Sequence, residues 1–243
     1  MDKKTASVKP KHMILKQIGP SIKELAVRLN LGSLNEELFR EALTHSSFAN
    51  EHNLPSNERL EFLGDSVISL VVCEFLYSRF RSYHEGQLAK IKSILVSAPF
   101  LASFTRKLNL EQYILLGTSE LRTRGNNKQN ILADLFEAFT GAFYLHFGFA
   151  KTADFLIPLI EPVLPEILAQ AEMIDAKTNF QEIAQSQGLK PEYRLVAEEG
   201  PPHNKLFQVE VLLGHQVMGA GSGKSLKEAQ NKAAMEAIRQ LKQ

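Results

Sequence analysis

Two stretches of this chain are apolar at almost every helical angle and yet carry carboxylates, and few folds tolerate that combination. Residues 58–76 read Glu-Arg-Leu-Glu-Phe-Leu-Gly-Asp-Ser-Val-Ile-Ser-Leu-Val-Val-Cys-Glu-Phe-Leu. At about 100° per residue the apolar side chains encircle such a helix, which predicts a mostly buried element. Glu58, Glu61 and Asp65 nevertheless fall within about 60° of one another on one edge. Residues 131–149 repeat the pattern with Asp134 and Glu137, their only acids, three apart. Like charges at these spacings repel, and burying them unpaired is costly. Something cationic must offset them.

If the two helices cross with their acids face to face, oxygen ligands surround one point and form a hard-cation site. Mg²⁺ suits it, because that ion accepts few carboxylates and keeps several waters. Such an ion polarises a phosphate and lowers the pKa of a bound water. No softer site competes: Cys73 is the single cysteine and the seven histidines are scattered. The acids could instead pair with Arg59, Lys90, Lys92 or Lys128 in structural salt bridges. Arg59 is the one Lys or Arg inside either helix, which favours the metal. The apolar length of 131–149 would also suit a membrane span, but two carboxylates in its first two turns argue against one.

The rest of the chain divides by texture. Residues 1–12 form a basic tail with four lysines against one aspartate. From residue 21 the apolar spacing predicts helices over 21–30, 35–48, 57–80, 85–96, 98–109, 131–148 and 151–172, the last shortened or kinked by Pro158, Pro162 and Pro165. No strand pattern appears there, so this half is expected to be all-α. The texture changes at 173–177, taken as a linker. A short helix over 178–187 follows, then strands at 193–197, 206–213 and 216–220. Ser225 with Glu228 makes a capping box for a final helix whose stripe is Ala229, Ala233, Ala237 and Leu241. The second half is therefore α-β-β-β-α.

Charge alone nominates no partner: the net is +1, with 15 basic against 19 acidic residues over 13–175. One cysteine cannot form an internal disulfide, and Cys73 sits in an apolar run where core packing explains it. No apolar segment follows Met1-Asp2-Lys3-Lys4, so a cytoplasmic protein without a signal peptide is expected.

The run Asn57-Glu-Arg-Leu-Glu-Phe-Leu-Gly-Asp-Ser66 resembles the signature of the ribonuclease III family. Ala133-Asp-Leu-Phe-Glu-Ala138, with Gly141-Ala-Phe-Tyr-Leu145 after it, resembles the second acidic motif of that family. Glu85-Gly-Gln-Leu resembles a third segment. The C-terminal region is similar to a double-stranded RNA-binding domain in Thr178 with Gln181-Glu182, in Gly200-Pro-Pro-His203 through Phe207, and in Gly221-Ser-Gly-Lys-Ser-Leu-Lys-Glu-Ala229.

The resemblance implies an all-α endonuclease domain over 13–172 and a small α+β double-stranded RNA-binding domain over 178–243. It implies an Mg²⁺-dependent endonuclease, with Mn²⁺ as a substitute, that cuts both strands of double-stranded RNA to 5′-phosphate and 3′-hydroxyl ends. It needs no small-molecule cofactor and no membrane. Ribosomal RNA precursors and other structured RNAs are the substrates it suggests. By motif, Glu61, Asp134 and Glu137 are metal ligands, Asp65 orients the attacking water, and Glu58 and Glu85 are auxiliary acids near the scissile phosphate. Gln181 and Glu182 would reach one minor groove and His203 the next, with Lys224, Lys227 and Lys232 facing the phosphates between. Leu226 stands where the family usually has a lysine, which implies one phosphate contact fewer.

The family works as a homodimer. Phe62 projects about 40° from Glu58, on the same edge as the acids, and needs cover. In the family the matching residue seats in the other subunit; packing within its own chain is the alternative. A non-catalytic RNA clamp and a phosphohydrolase of small nucleotides are the competing functions. A clamp has no use for two carboxylate pairs, and the phosphohydrolase has none for the C-terminal module.

Overall fold

A computed structural model describes residues 21–201 and 204–241, with 174 and 175 described by backbone alone. The basic tail at 1–12 and His203 lie outside the described residues. The chain divides into two compact units, with the boundary in sequence between Val163 and Leu164.

The first unit is helical. It contains α1 (Ile22–Arg28), α2 (Glu36–Ala42), α3 (Ser46–His52), α4 (Glu58–Arg79), α5 (Glu85–Leu95), α6 (Ala98–Lys107), α7 (Thr118–Arg122), α8 (Gln129–Phe147) and α9 (Phe149–Ile160). Helix α8 runs through its centre. Leu132, Leu135, Phe136, Ala138, Phe139, Thr140 and Ala142 are all fully buried. Phe139 meets Phe39 of α2 at 5.5 Å between ring centroids, Phe136 meets Phe104 of α6 at 5.4 Å, and Phe143 stacks on Phe155 of α9 at 4.7 Å. Burial on every side accounts for α8 being apolar all round. Among the described residues no single helix is long and apolar enough to cross a membrane.

Helix α4 lies against α8 and differs from the expected buried rod. One face is in the core through Leu60, Gly64, Val67, Ile68, Val71, Val72 and Leu76. The other presents Phe62, Leu70, Cys73 and Tyr77 to solvent, Phe62 at 79% and Tyr77 at 76% exposure. Cys73 is thus not a core residue: it shares the outward stripe, which apolar character alone cannot tell from the inward one.

The expected helix over 35–48 is two helices. The chain between them is extended, with Thr44 bridging Leu115 in parallel and the His45 N–H donating to the Leu115 carbonyl at 3.1 Å. That long-range pairing leaves no local trace in sequence.

The second unit opens with α10 (Leu164–Ser186), which runs unbroken through the positions read as a linker, 173–177. No proline or glycine lies between Glu166 and Gln187, so nothing halts the helix. Strands β1 (Pro191–Glu199), β2 (Leu206–Leu213) and β3 (Gln216–Gly223) form an antiparallel sheet in that order, with a register shift in β1 at Val196. Helix α11 (Leu226–Leu241) packs on it. Ala176, Phe180 and Ala184 of α10 join Val209, Val211 and Leu213 of β2 and Ala229, Ala233, Ala234 and Ala237 of α11 in one core. Small residues on α11 let it lie close to the sheet; Leu241, at the end of the expected stripe, is 38% exposed. The Ser225 cap forms, its Oγ accepting from the Glu228 N–H at 3.2 Å, while the Glu228 carboxylate reaches back to the Lys224 N–H at 2.9 Å.

Candidate active site

Two glycines bring the acids together. A Cβ at Gly64 of α4 would lie 1.8 Å from the Glu137 carbonyl oxygen, and a Cβ at Gly141 of α8 would lie 2.3 Å from the Leu60 carbonyl oxygen. The helices therefore touch backbone to backbone at this crossing. Glu61 and Asp65 flank Gly64 on α4, and Asp134 and Glu137 precede Gly141 on α8 by two turns and one turn. The signal was present in sequence, as a glycine within two turns of the acids in each helix, but only the crossing gives it meaning.

The result is a triad of carboxylates. Glu61, Asp134 and Glu137 each offer an oxygen, and these atoms lie within 4.8 Å of one another. Burial pushes all three carboxyls above their ordinary range, and neighbouring carboxylates push Glu61 and Glu137 further. Glu137 is the extreme case, pushed up to about 8 by burial first and then by Asp65, Asp134 and Glu61. For Glu61 the neighbours are Asp134, Glu58 and Asp65. The named charges that raise Glu61 and Glu137 are all carboxylates. Lys128, offered as a salt-bridge partner, is bonded to Glu120 at 2.7 Å, and the Arg59 charge acts on Glu41. Three half-buried carboxylates with hard oxygen donors fit a divalent ion such as Mg²⁺. When bound, that ion supplies a Lewis acid for a phosphoryl oxygen and an acidified water.

The other acids are placed unevenly. Asp65 is exposed beside Glu137. Glu58 is exposed at the first turn of α4, where its carboxylate accepts from the Ser56 hydroxyl at 2.7 Å. Glu85 is not in the triad: it lines a cavity of about 990 Å³ with Cys73, Leu76, Tyr77, Phe80 and Tyr83, at the far end of α4.

In the second unit, Gln181 and Glu182 are exposed on α10, and Lys224 and Lys227 are exposed around the start of α11. Lys232, one turn further on, is held by Glu228 at 2.8 Å. That bond lowers the Glu228 pKa, with the Lys224 N–H helping.

The family described as Ribonuclease-III-like matches residues 35–163, and the double-stranded RNA binding motif matches residues 176–241. The chain is 39% identical over 225 residues to Ribonuclease 3 of Latilactobacillus sakei subsp. sakei, covering 91% of this chain and 97% of that one. It is 40% identical to Ribonuclease 3 of Bacillus licheniformis over 223 residues, covering 90% and 89%. Two structures of the nuclease domain of ribonuclease III from Campylobacter jejuni, each at 38% identity, overlay 60% of this chain with TM-scores of 0.55 and 0.54, covering 99% and 97% of those chains. The first of them is described as flexible in a region involved in dimer formation.

Proposed function

The chain belongs to the ribonuclease III family, and from that premise we propose that Glu61, Asp134 and Glu137 are the metal-holding centre of its double-stranded RNA endonuclease. The observation that carries the assignment is the meeting of those three carboxylates where α4 and α8 cross. Mg²⁺ is the proposed ion, and Mn²⁺, equally content with oxygen, its substitute. Asp65 accepts a hydrogen bond from the attacking water and aims it at the phosphorus in line with the departing 3′-oxygen. The water oxygen bonds to phosphorus as the P–O3′ bond breaks, and the departing 3′-oxygen takes a proton from solvent, which leaves a 5′-phosphate and a 3′-hydroxyl. Glu58 holds the flank of the scissile phosphate through ordered water. Glu85, remote from the triad in its own chain, acts in this scheme at the edge of the partner's substrate path.

The C-terminal unit binds double-stranded RNA. Its proposed contacts are Gln181 and Glu182 in one minor groove, His203 in the next, and Lys224, Lys227 and Lys232 on the phosphates between. Ribosomal RNA precursors and other structured RNAs are the proposed substrates, in the cytoplasm. The test is labelled duplex RNA with end-group analysis. Mg²⁺ is expected to give 5′-phosphate products, Ca²⁺ binding without turnover, and chelator no cutting. Cutting that survives chelator overturns the metal centre.

A second copy of the chain is the proposed cover for the outward stripe of α4, with Phe62 seated in the partner and each subunit cutting one strand. Leu70, 56% exposed, and Tyr77 lie on that stripe. Leu70→Asp combined with Tyr77→Asp is expected to convert a dimer at micromolar concentration into a monomer by light scattering and to abolish paired cleavage. A dimer that withstands both charges would remove α4 from the interface.

A further inference from the structure

One histidine beside the triad has no part in the scheme above. His45 caps α3, its Nδ1 accepting from the Ser47 backbone N–H at 3.2 Å, and the Ser47 hydroxyl lies 2.8 Å from the same nitrogen. A ring nitrogen that accepts from a backbone N–H carries no proton. The imidazole proton therefore sits on Nε2, and the Ser47 hydroxyl donates to Nδ1. Ser47 Oγ in turn accepts from the Gly117 N–H at 2.9 Å. A Cβ at residue 117 would meet Glu51 Oε1 at 2.6 Å and the Ser47 carbonyl oxygen at 2.7 Å, so this approach requires glycine.

The backbone is clamped as firmly. Leu115 donates to the Leu43 carbonyl at 2.8 Å, Asn57 donates to the Thr44 carbonyl at 2.8 Å, and Glu61 donates to the Asn57 carbonyl at 2.9 Å. His45 thus stands between the segment that enters α4 with Glu61 and the segment that leads towards α8 with Asp134. Its ring lies within electrostatic reach of both Asp134 and Glu120. Glu120 is already taken by Lys128 at 2.7 Å. Among the described residues no group accepts from Nε2.

We propose that His45 is a phosphate-contacting residue of the nuclease, its fixed Nε2–H donating to a non-bridging oxygen of the cut RNA strand beside the Glu61–Asp134–Glu137 centre. The inference rests on the nuclease reading of that centre. A phosphodiester entering a ring of acids needs donors as well as a cation, and the nearby Lys128 ammonium is engaged. A donor held by Ser47 and Gly117 in one tautomer and one direction needs no reorganisation when charge builds on the phosphoryl oxygens.

His45→Asn separates this role from helix capping, because asparagine still accepts from the Ser47 N–H but has no donor at the Nε2 position. In the full chain this variant is expected to keep its thermal midpoint within about 2 °C and its duplex affinity in Ca²⁺ within about twofold. Single-turnover cleavage at saturating duplex in Mg²⁺ is expected to fall by about tenfold or more. Free imidazole is expected to restore part of the rate of His45→Gly and none of the rate of Glu137→Ala. Wild-type cleavage by His45→Asn overturns the proposal. A rate loss matched by a fall in thermal midpoint, without imidazole rescue, also overturns it, because His45 would then be a cap alone. Failure of the unaltered protein to cut duplex RNA in Mg²⁺ would sink the nuclease reading instead.

Discussion

Glu137→Gln is expected to lower duplex cleavage by roughly 10³-fold or more while leaving duplex affinity in Ca²⁺ nearly unchanged. The same variant is expected to melt higher than the unaltered protein when both are metal-free at pH 8. Both effects follow from one arrangement. Glutamine keeps the shape of the side chain but gives up one carboxylate oxygen and the charge, so the proposed metal centre loses a ligand. Without metal, that charge is a burden. Burial and the Asp65, Asp134 and Glu61 carboxylates raise the Glu137 pKa from its ordinary 4.5 to about 8. Between those values the folded protein keeps a proton that the unfolded chain has released. The group therefore costs no stability below about pH 4.5, and stability falls as pH rises towards 8. Glu61 and Asp134 shift in the same direction and steepen the fall. Glu137 is only half-buried, so solvent screening reduces its share to roughly 1–2 kcal/mol, or roughly 3–6 °C in a unit this size. Calorimetry of metal-free protein across pH 5–9 checks this, and Mg²⁺ should restore the unaltered protein most at high pH. A thermal midpoint that rises with pH in chelator, or a Glu137→Gln enzyme that cuts at the wild-type rate, would contradict the account of the centre.

Gly64→Ala is the second change with a large expected effect. The added methyl would lie 1.8 Å from the Glu137 carbonyl oxygen, which is backbone inside a buried helix and cannot swing aside. Helices α4 and α8 would have to separate by roughly 1 Å or more in a core that is already close-packed. The expected cost is about 3 kcal/mol. Displacing the triad by that much is expected to slow cleavage about 100-fold in whatever protein still folds. Gly86→Ala is the stability control, because its Cβ would meet only the His84 ring, at an ordinary 3.4 Å. If Gly64→Ala melted and cut like the unaltered protein, the close crossing would not be what assembles the centre.

The acids were legible in sequence because charge inside an apolar helix is conspicuous in one dimension. The α-β-β-β-α order was legible for a similar reason, since alternation in Phe207–Leu213 and the alanine stripe of α11 are local patterns. Three other features are not local. The break between α2 and α3 depends on Leu115, some seventy residues away, whose carbonyl takes the His45 N–H. The continuity of α10 was hidden by its polar middle, although Ala176, Phe180 and Ala184 keep a buried four-residue spacing through it. Cys73 lies in an apolar run that suggests the core, but apolar character carries no mark of which helix face turns outward, and Cys73 is exposed. The same ambiguity affects Glu85, which motif order sets beside the other acids and folding sets at the opposite end of α4.

Helix α4 bears Glu61 and Asp65 near its start and the outward stripe from Phe62 to Tyr77 along its length. A helix of this kind is a stiff rod advancing about 1.5 Å per residue. If two copies join along it, the gap between the two blades is fixed by backbone rise and not by any loop. Product overhangs should then stay constant in length while temperature, salt or RNA sequence alter how fast the cuts are made: the rod serves as the enzyme's own gauge.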